Sequence, residues 1–260
     1  MRILVTNDDG VGSPGIKALA TALVRDGHEV FVVAPTDDRS GSGAAVGKLY
    51  NVGPQPVVTT EWDDLPGVPV HAIDAPPGTA ALVTCLGAFG PLPDLVASGI
   101  NPGANTGHLT LHSGTVGATL TAASYGIPGI AVSLEWEESG EYRWDTAATF
   151  AAAAVEWVTT PDDLTRVLNV NVPNLPVGEV RGVREAELAA HGEVWVASAE
   201  HTGADVRLEV TGRGEAGPDT DAALVLAGYV AVTPLAEHRA RPRTGAAGAV
   251  AARLSARSGG

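Results

Sequence analysis

The chain has 260 residues, of which 45% are hydrophobic and 18% are charged. This composition supports one large globular domain and excludes a chain that is disordered throughout. The formal net charge is −14, from 16 basic and 30 acidic residues, which argues against a broad basic surface for nucleic acid. The 32 glycines and 18 prolines follow no repeat, so collagen-like and solenoid folds are excluded as well.

The single cysteine, Cys85, excludes an intrachain disulfide bond. Residues 1–6 lack the pattern of a signal peptide, and no apolar stretch is long enough to cross a membrane. We therefore expect a cytoplasmic protein that has neither a membrane nor a nucleic acid as its partner.

The start of the chain alternates between buried strands and an amphipathic segment. A short apolar run at 3–5 predicts a buried strand, and a turn follows it. Pro14 begins a predicted helix in which apolar residues recur at helical spacing up to Leu23, and 30–33 is a second buried strand. Residues 36–66 are rich in Gly, Ser, Thr and Asp and are predicted to be irregular.

The same alternation continues to residue 172. The predicted strands are 68–73, 94–97, 129–133 and 167–172, and the predicted helices are 78–86, 114–125 and 145–158. A long loop rich in Gly and Asn is expected at 98–113. We predict an α/β fold with a Rossmann-like, mostly parallel sheet and helices on both of its faces.

The pattern changes after residue 179. Alternation over 179–211, for example at 193–196 and 206–210, predicts a β-hairpin extension of the sheet. A short helix at 219–226 and a last strand at 229–233 follow. We predict a single domain over 1–236 and a disordered tail, rich in Arg, Ala and Gly, over 237–260.

The turn after the first strand contains a G-x-G-x-x-G pattern at residues 10–15, as in dinucleotide-binding folds. Asp8 and Asp9 stand directly before it, where two carboxylates would repel a pyrophosphate. The second strand also ends without the acidic residue that binds a ribose. Paired carboxylates at a strand end instead favour Mg²⁺ or Mn²⁺. A helix cap beside a solvated aspartate is the simpler alternative.

Polar residues also follow the neighbouring strands, and the carboxyl ends of parallel strands meet at one edge of a sheet. These residues are Ser40, Asn101, Asn105, Ser113, Gly114 and Thr115. Asparagine and serine oxygens can bind a metal, and a helix that starts with Ser-Gly-Thr can bind an anion. Ordinary turns and N-caps are the alternatives at each position. Together the residues suit a metal-assisted attack on a phosphate ester.

Four motifs occur in a fixed order along the chain: Asn7-Asp8-Asp9-Gly10; Ala34-Pro35 with Arg39-Ser40-Gly41; Ser98-Gly99-Ile100-Asn101 with Gly103 and Asn105; and Ser113-Gly114-Thr115-Val116. In these motifs the sequence resembles the SurE family of metal-dependent nucleotidases and phosphatases. The resemblance extends to about residue 236. It departs from the family at Thr121-Ala122, where Glu-Gly is usual, and at Ala80-Ala81-Leu82, where Pro-Ala-Asp is usual.

The resemblance implies a role for each candidate residue. It places one Mg²⁺ or Mn²⁺ per subunit on Asp8, Asp9, Ser40 and Asn101. It places the substrate phosphate on Asn105, Ser113, Gly114 and Thr115. Either Asp8 or Asp9 would act as the catalytic base. It also implies a homodimer or homotetramer, assembled through the hairpin extension and a C-terminal segment.

The expected activity is hydrolysis of a phosphate monoester, namely a nucleoside 5′- or 3′-monophosphate. Two alternatives within the resemblance are a specialised phosphatase for a phosphorylated metabolite and a non-catalytic relative that binds nucleotides. A third is a phosphatase of the haloacid-dehalogenase type. That type needs two aspartates separated by one residue, whereas Asp8 and Asp9 are adjacent.

Overall fold

The computed structural model describes residues 1–47, 54–160, 167–190, 194–212 and 216–236. The predicted tail at 237–260 lies outside these residues. Within them, every helix is too short or too polar to cross a membrane.

Among the described residues, a nine-stranded sheet forms the centre of the molecule, and two further strands form a sheet of their own. The strands are β1 (Arg2–Thr6), β2 (Glu29–Pro35), β3 (Val57–Thr60), β4 (Val70–Ile73), β5 (Leu95–Pro102), β6 (Gly129–Leu134), β7 (Val167–Val172), β8 (Val183–Glu185), β9 (Val194–His201), β10 (Val206–Gly212) and β11 (Val230–Leu235). The order across the large sheet is β3-β4-β2-β1-β5-β6-β7-β11-β8. Neighbours from β4 to β7 run parallel, whereas β3 and β11 are antiparallel to β4 and β7.

Helices cover both faces of this sheet. They are α1 (Pro14–Arg25), α2 (Pro77–Cys85), α3 (Gly114–Ala123), α4 (Trp144–Thr159) and α5 (Asp221–Leu226). Side chains alternate across β1, so Ile3 and Val5 pack with α1 and α4 while Leu4 packs with α2 and α3. Burial on both faces explains why β1 is a continuous apolar run. The predicted α/β fold with a mostly parallel sheet is confirmed.

The strand order reverses at β1. The chain leaves β1 through α1 to β2 on one side, while β5 pairs with β1 on the other. The connections therefore diverge at the carboxyl edge, which is where open α/β sheets bind ligands. The loops after β1, β2 and β5 all open at this edge.

Two loop predictions were wrong. Strand β3 lies inside the stretch predicted to be irregular, and all of its residues are exposed, so no hydrophobic pattern marked it. Strand β5 continues to Pro102 because it pairs with β6 up to Leu134, and residues 107–111 form a short 3₁₀ helix. In both places the partner strand, and not the local sequence, decides the conformation.

The predicted hairpin extension divides into two parts. Residues 183–185 join the edge of the large sheet as β8, parallel to β11. Strands β9 and β10 pair with each other in an antiparallel hairpin, with a bulge at Glu209/Val210. The hairpin thus starts later in the chain than the predicted extension.

Candidate active site

Asp8 lies two residues after the end of β1 and is buried, with 3% of its surface exposed. Its Oδ2 accepts a hydrogen bond from the amide of Gly114 at 3.1 Å, and its Oδ1 accepts one from the hydroxyl of Thr115. Its main-chain oxygen accepts from the amide of Arg39 at 2.7 Å. Burial raises the pKa of Asp8, and the bonds from Thr115 and Gly114 oppose this effect. Asp8 therefore joins the ends of β1 and β2 to the start of α3.

Asp9 faces two other carboxylates. Burial, together with the charges of Asp8 and Asp38, raises the pKa of Asp9 to about 7. Its Oδ2 is buried and has no hydrogen-bond partner among the described residues. A buried carboxylate oxygen without a donor is costly, and the charges of Asp8 and Asp38 repel that of Asp9. A cation at this place would relieve both costs.

Ser40 reaches this cluster through Asp38. Its hydroxyl donates to Asp38 Oδ1 at 2.6 Å, and its amide donates to the same atom at 2.7 Å. These two bonds lower the pKa of Asp38. Because the hydroxyl of Ser40 acts as donor, its lone pairs stay available to a cation.

Two glycines of α3 let the loop after β2 approach closely. A Cβ atom on Gly117 would lie 2.2 Å from the carbonyl oxygen of Gly43. A Cβ atom on Gly114 would lie 2.7 Å from Asp8 Oδ2 and 2.7 Å from Ser42 Oγ. Only the hydrogen atom of a glycine fits at either position. The contact brings Ser42, whose buried hydroxyl has no partner among the described residues, beside Asp8.

Asn101 lies near the end of β5, the strand that pairs with β1. Its Nδ2 donates to the carbonyl oxygen of Gly103 at 2.6 Å, which leaves its Oδ1 as an acceptor. Among the described residues, no hydrogen bond joins Asn101 to Asp8 or Asp9. The strand pairing brings Asn101 to the same edge of the sheet as these aspartates.

Asn105 is fixed to the neighbouring strands. Its amide donates to Asn171 Oδ1 at 2.8 Å, and its carbonyl oxygen accepts from Asn169 at 2.8 Å and from Asn171 at 3.1 Å. Its own Nδ2 donates to the hydroxyl of Ser133 at 2.8 Å. The two asparagines of β7 therefore act as a clamp on this loop, a role that was not predicted from the sequence.

Asp221 anchors the next part of the same loop from a distant part of the chain. Its carboxylate is fully buried and accepts from the amide of Gly107 at 2.8 Å. It also accepts from the amides of Ala189 at 2.9 Å and Ala222 at 2.8 Å. Burial raises the pKa of Asp221, and these hydrogen bonds oppose it. Asp221 was not predicted as a site residue from the sequence.

Ser113 caps α3, because its hydroxyl oxygen accepts from the amide of Val116 at 3.1 Å. Its hydroxyl hydrogen can still donate to an anion. Gly114 and Thr115, which were predicted to hold phosphate, donate to Asp8 here. The positive end of a helix attracts the Asp8 carboxylate as it would attract another anion.

The donor atoms at this edge suit a hard divalent cation. The described residues contain no group of three or more His, Cys, Asp or Glu that could hold a metal ion, so a metal here would need serine or asparagine oxygens as well. Asp9 Oδ2, Asn7 Oδ1 and Ser42 Oγ are buried oxygens without a partner among those residues. Such oxygens, together with Ser40 and Asn101, form the all-oxygen set that Mg²⁺ and Mn²⁺ prefer.

The comparison with known families gives one match over most of the chain. The family model "Survival protein SurE" matches residues 3–193. These residues include all eight candidate positions, from Asp8 to Thr115.

Curated relatives and a solved structure agree with this match. The chain is 36% identical over 240 residues to the 5′/3′-nucleotidase SurE of Photorhabdus laumondii, covering 90% of this chain and 89% of the relative. It is 39% identical over 243 residues to the 5′/3′-nucleotidase SurE of Salmonella typhimurium, with 90% of each chain covered. The crystal structure of the SurE protein from Aquifex aeolicus is similar with a TM-score of 0.72 and 30% identity, over 93% of this chain and 95% of that one.

Proposed function

Because this chain belongs to the SurE family, we propose that it is a phosphatase that hydrolyses nucleoside 5′- or 3′-monophosphates to a nucleoside and phosphate. The observation that carries the proposal is the cluster at the carboxyl edge of the sheet. There, Asp8 is fixed to the start of α3 while Asp9 Oδ2 is buried without a partner among the described residues. This arrangement supports the proposal, because oxygens that suit a cation lie beside a helix start of the kind that can bind an anion.

Asp8, Asp9, Ser40 and Asn101 would hold one Mg²⁺ or Mn²⁺ per subunit. A cation held by these residues would supply Lewis-acid chemistry, which polarises phosphoryl oxygens and lowers the pKa of water. The oxygen types of these residues support the assignment, as do the repelling carboxylates of Asp8, Asp9 and Asp38.

Ser113 and Asn105 would orient the phosphate, with Gly114 and Thr115 beside them. The hydroxyl of Ser113 lies at the N-terminus of α3, and Asn105 is fixed by the clamp from β7. Asp9 is better suited than Asp8 to accept a proton from the attacking water. Both oxygens of Asp8 already accept hydrogen bonds, whereas Asp9 Oδ2 accepts none among the described residues.

The test is phosphate release from a panel of nucleoside 5′- and 3′-monophosphates, sugar phosphates and an aryl phosphate. Each substrate is tested with Mg²⁺, with Mn²⁺ and with EDTA. We expect release that needs a metal and is fastest from nucleotides, and loss of that release in Asp9→Asn. The matched control is Asp26→Asn at the end of α1, which lies at the opposite edge of the sheet.

The ranking of substrates decides between the proposal and its alternatives. Release from the aryl phosphate but not from nucleotides would indicate a specialised phosphatase for another metabolite. Nucleotide binding without release from a folded sample would indicate a non-catalytic relative. Retained activity in Asp9→Asn would contradict the metal assignment.

The hairpin supports assembly into a homodimer or homotetramer. Val206 and Leu208 on β10 are 64% and 61% exposed, and β9 and β10 pair with no third strand among the described residues. An isolated two-stranded sheet is marginally stable in water, so a second copy of the chain would cover it. Light scattering of the wild type and of Leu208→Glu tests this, and we expect a smaller assembly for the variant.

A further inference from the structure

The loop between β6 and α4, residues 135–143, carries a tryptophan that the proposed chemistry does not use. The side chain of Trp136 is 59% exposed. Its Cε3 lies 4.0 Å from the position of a Cβ atom on Gly103, and Asn101 Nδ2 lies 3.7 Å from the same point. The exposed ring and the candidate metal ligand Asn101 therefore both lie within 4.0 Å of one point beside Gly103.

Other aromatic rings hold Trp136 in place. Tyr142 meets it edge-on, with ring centroids 6.3 Å apart at 70°. Tyr142 in turn packs on Trp144, with centroids 4.8 Å apart. Trp144 Cζ3 lies 3.1 Å from the position of a Cβ atom on Gly15, near the start of α1. The row of rings thus joins Trp136 to the helix that follows Asp8 and Asp9.

Hydrogen bonds fix the two ends of this loop. The amide of Glu135 donates to the carbonyl oxygen of Val172 at 2.8 Å. Asn174 accepts from the amide of Arg143 at 2.8 Å and donates to the carbonyl oxygen of Glu141 at 2.9 Å. Because the loop is already ordered, a ligand that contacts Trp136 loses little free energy in ordering it.

The charges of the loop indicate which part of a substrate it would meet. Residues 135–143 contain glutamates at 135, 137, 138 and 141 and one arginine at 143. Such a segment repels phosphate, so the ring suits the uncharged end of the substrate. An aromatic face stacks well on any nucleobase, because every base has a π-face.

We propose that Trp136 is the platform on which the base of the nucleoside monophosphate stacks while its phosphate lies at the start of α3. This inference rests on the proposed nucleotidase function and names the residue that favours nucleotides over phosphates without a ring. Stacking tolerates all bases, so the platform selects nucleotides as a class and not one base among them.

The experiment compares the wild type with Trp136→Ala and Trp136→Phe. The matched control is Trp157→Ala, an exposed tryptophan in the last turn of α4 and so at the opposite edge of the sheet. Initial rates are measured with Mn²⁺ on AMP, UMP and glycerol 2-phosphate, which has no ring. Light scattering follows the size of each protein.

In Trp136→Ala we expect KM to rise about tenfold for both nucleotides, with kcat nearly unchanged, from the usual size of a stacking contact. The rate on glycerol 2-phosphate should stay at the wild-type value. Trp136→Phe should recover most of the loss in KM, and Trp157→Ala should match the wild type on all three substrates.

Other outcomes overturn the proposal. An unchanged KM for nucleotides in Trp136→Ala, or an equal loss on glycerol 2-phosphate, shows that the ring does not meet the base. A change in assembly size with Trp136→Ala shows that the ring belongs to an interface between copies. A wild type that releases no phosphate from AMP or UMP overturns the proposed function, and the platform with it. An active wild type with an unchanged KM in Trp136→Ala overturns the platform alone.

Discussion

The hydroxyl of Thr115 donates a hydrogen bond to the carboxylate of Asp8, although 107 residues separate the two along the chain. Asp8 lies two residues after the end of β1, and Thr115 lies in the first turn of α3. Both side chains are buried. This contact joins the first motif of the sequence to the fourth, and it fixes the orientation of one candidate metal ligand.

Replacing Thr115 by valine should therefore weaken both stability and activity. Valine keeps the shape but removes a donor to a buried carboxylate, and we expect a loss of about 2 kcal/mol in the free energy of unfolding. Activity should fall because Asp8 then has one fewer bond to hold it. Denaturant unfolding and phosphate release measure the two effects.

Thr115→Ser is the control, since serine keeps the hydroxyl and loses only a methyl group. It should retain most of the activity. Equal activity in Thr115→Val and Thr115→Ser would show that this bond does not position Asp8.

The carboxylates of Asp8, Asp9 and Asp38 predict how metal changes stability. In EDTA, Asp9→Asn should unfold at a higher temperature than the wild type at pH 8, because it removes one of these repelling charges. Saturating Mn²⁺ should raise the unfolding temperature of the wild type and leave that of the variant nearly unchanged.

Thermal unfolding with and without Mn²⁺ shows whether the order of the two unfolding temperatures, of wild type and of Asp9→Asn, reverses. Asp26→Asn, on the opposite edge of the sheet, should respond to Mn²⁺ as the wild type does. An equal stabilisation of wild type and Asp9→Asn by Mn²⁺ would place the metal elsewhere.

Gly117 predicts a structural requirement of the loop after β2. A Cβ atom there would lie 2.2 Å from the carbonyl oxygen of Gly43, so alanine must push away the loop that carries Ser40 and Ser42. We expect Gly117→Ala to lose about 1–3 kcal/mol of stability and most of its activity.

Gly12 offers the matched control, because a Cβ atom on it meets nothing within 4 Å. Gly12→Ala should keep wild-type activity, and phosphate release with denaturant unfolding compares the two variants. Wild-type activity in Gly117→Ala would mean that the loop can move without loss.

The parallel part of the fold could be predicted because its strands are buried on both faces. Strands such as β1 and β2 show continuous apolar runs, and the helices between the parallel strands show clear starts. Strand β3 was missed because its four residues, although β-branched, are all exposed, so no buried apolar run marks it, and it is held by pairing with β4. Strand β5 exceeds its prediction for the same reason, because β6 extends the pairing.

The candidate site was predictable where one motif carries the chemistry, and less so where distant residues meet. Asp8 and Asp9 stand out as adjacent carboxylates at a strand end. Ser42 and Asp38 come close to them only because the loop after β2 folds back on α3. Nor does a sequence pattern reveal that Gly114 and Thr115 would donate to Asp8, since that contact depends on the positions of β1 and α3 in the fold.

Asp221 gives a prediction about pH, because burial raises the pKa of its carboxyl group in the folded protein. A raised pKa means that the folded state binds this proton more tightly than the unfolded state does. The ionised form therefore costs stability at neutral pH, and stability from this group increases as the pH falls through the raised pKa toward 3.8. Below that value the contribution stays constant.

Asp221→Asn isolates this effect, since asparagine does not titrate. At neutral pH the variant should lose about 1–3 kcal/mol, because its NH₂ group would face the amide of Gly107 or of Ala189. The difference in unfolding free energy between wild type and variant should then grow as the pH falls from 7 toward 4. The other acidic groups titrate alike in both proteins, so their contributions cancel in this difference. Denaturant unfolding at several pH values measures it, with the exposed Asp219→Asn as control. Since Gly107 follows the loop of Asn105, the variant should also show a higher KM for phosphate esters. If the difference in unfolding free energy between wild type and variant instead shrinks at low pH, the assigned direction of the pKa shift is refuted.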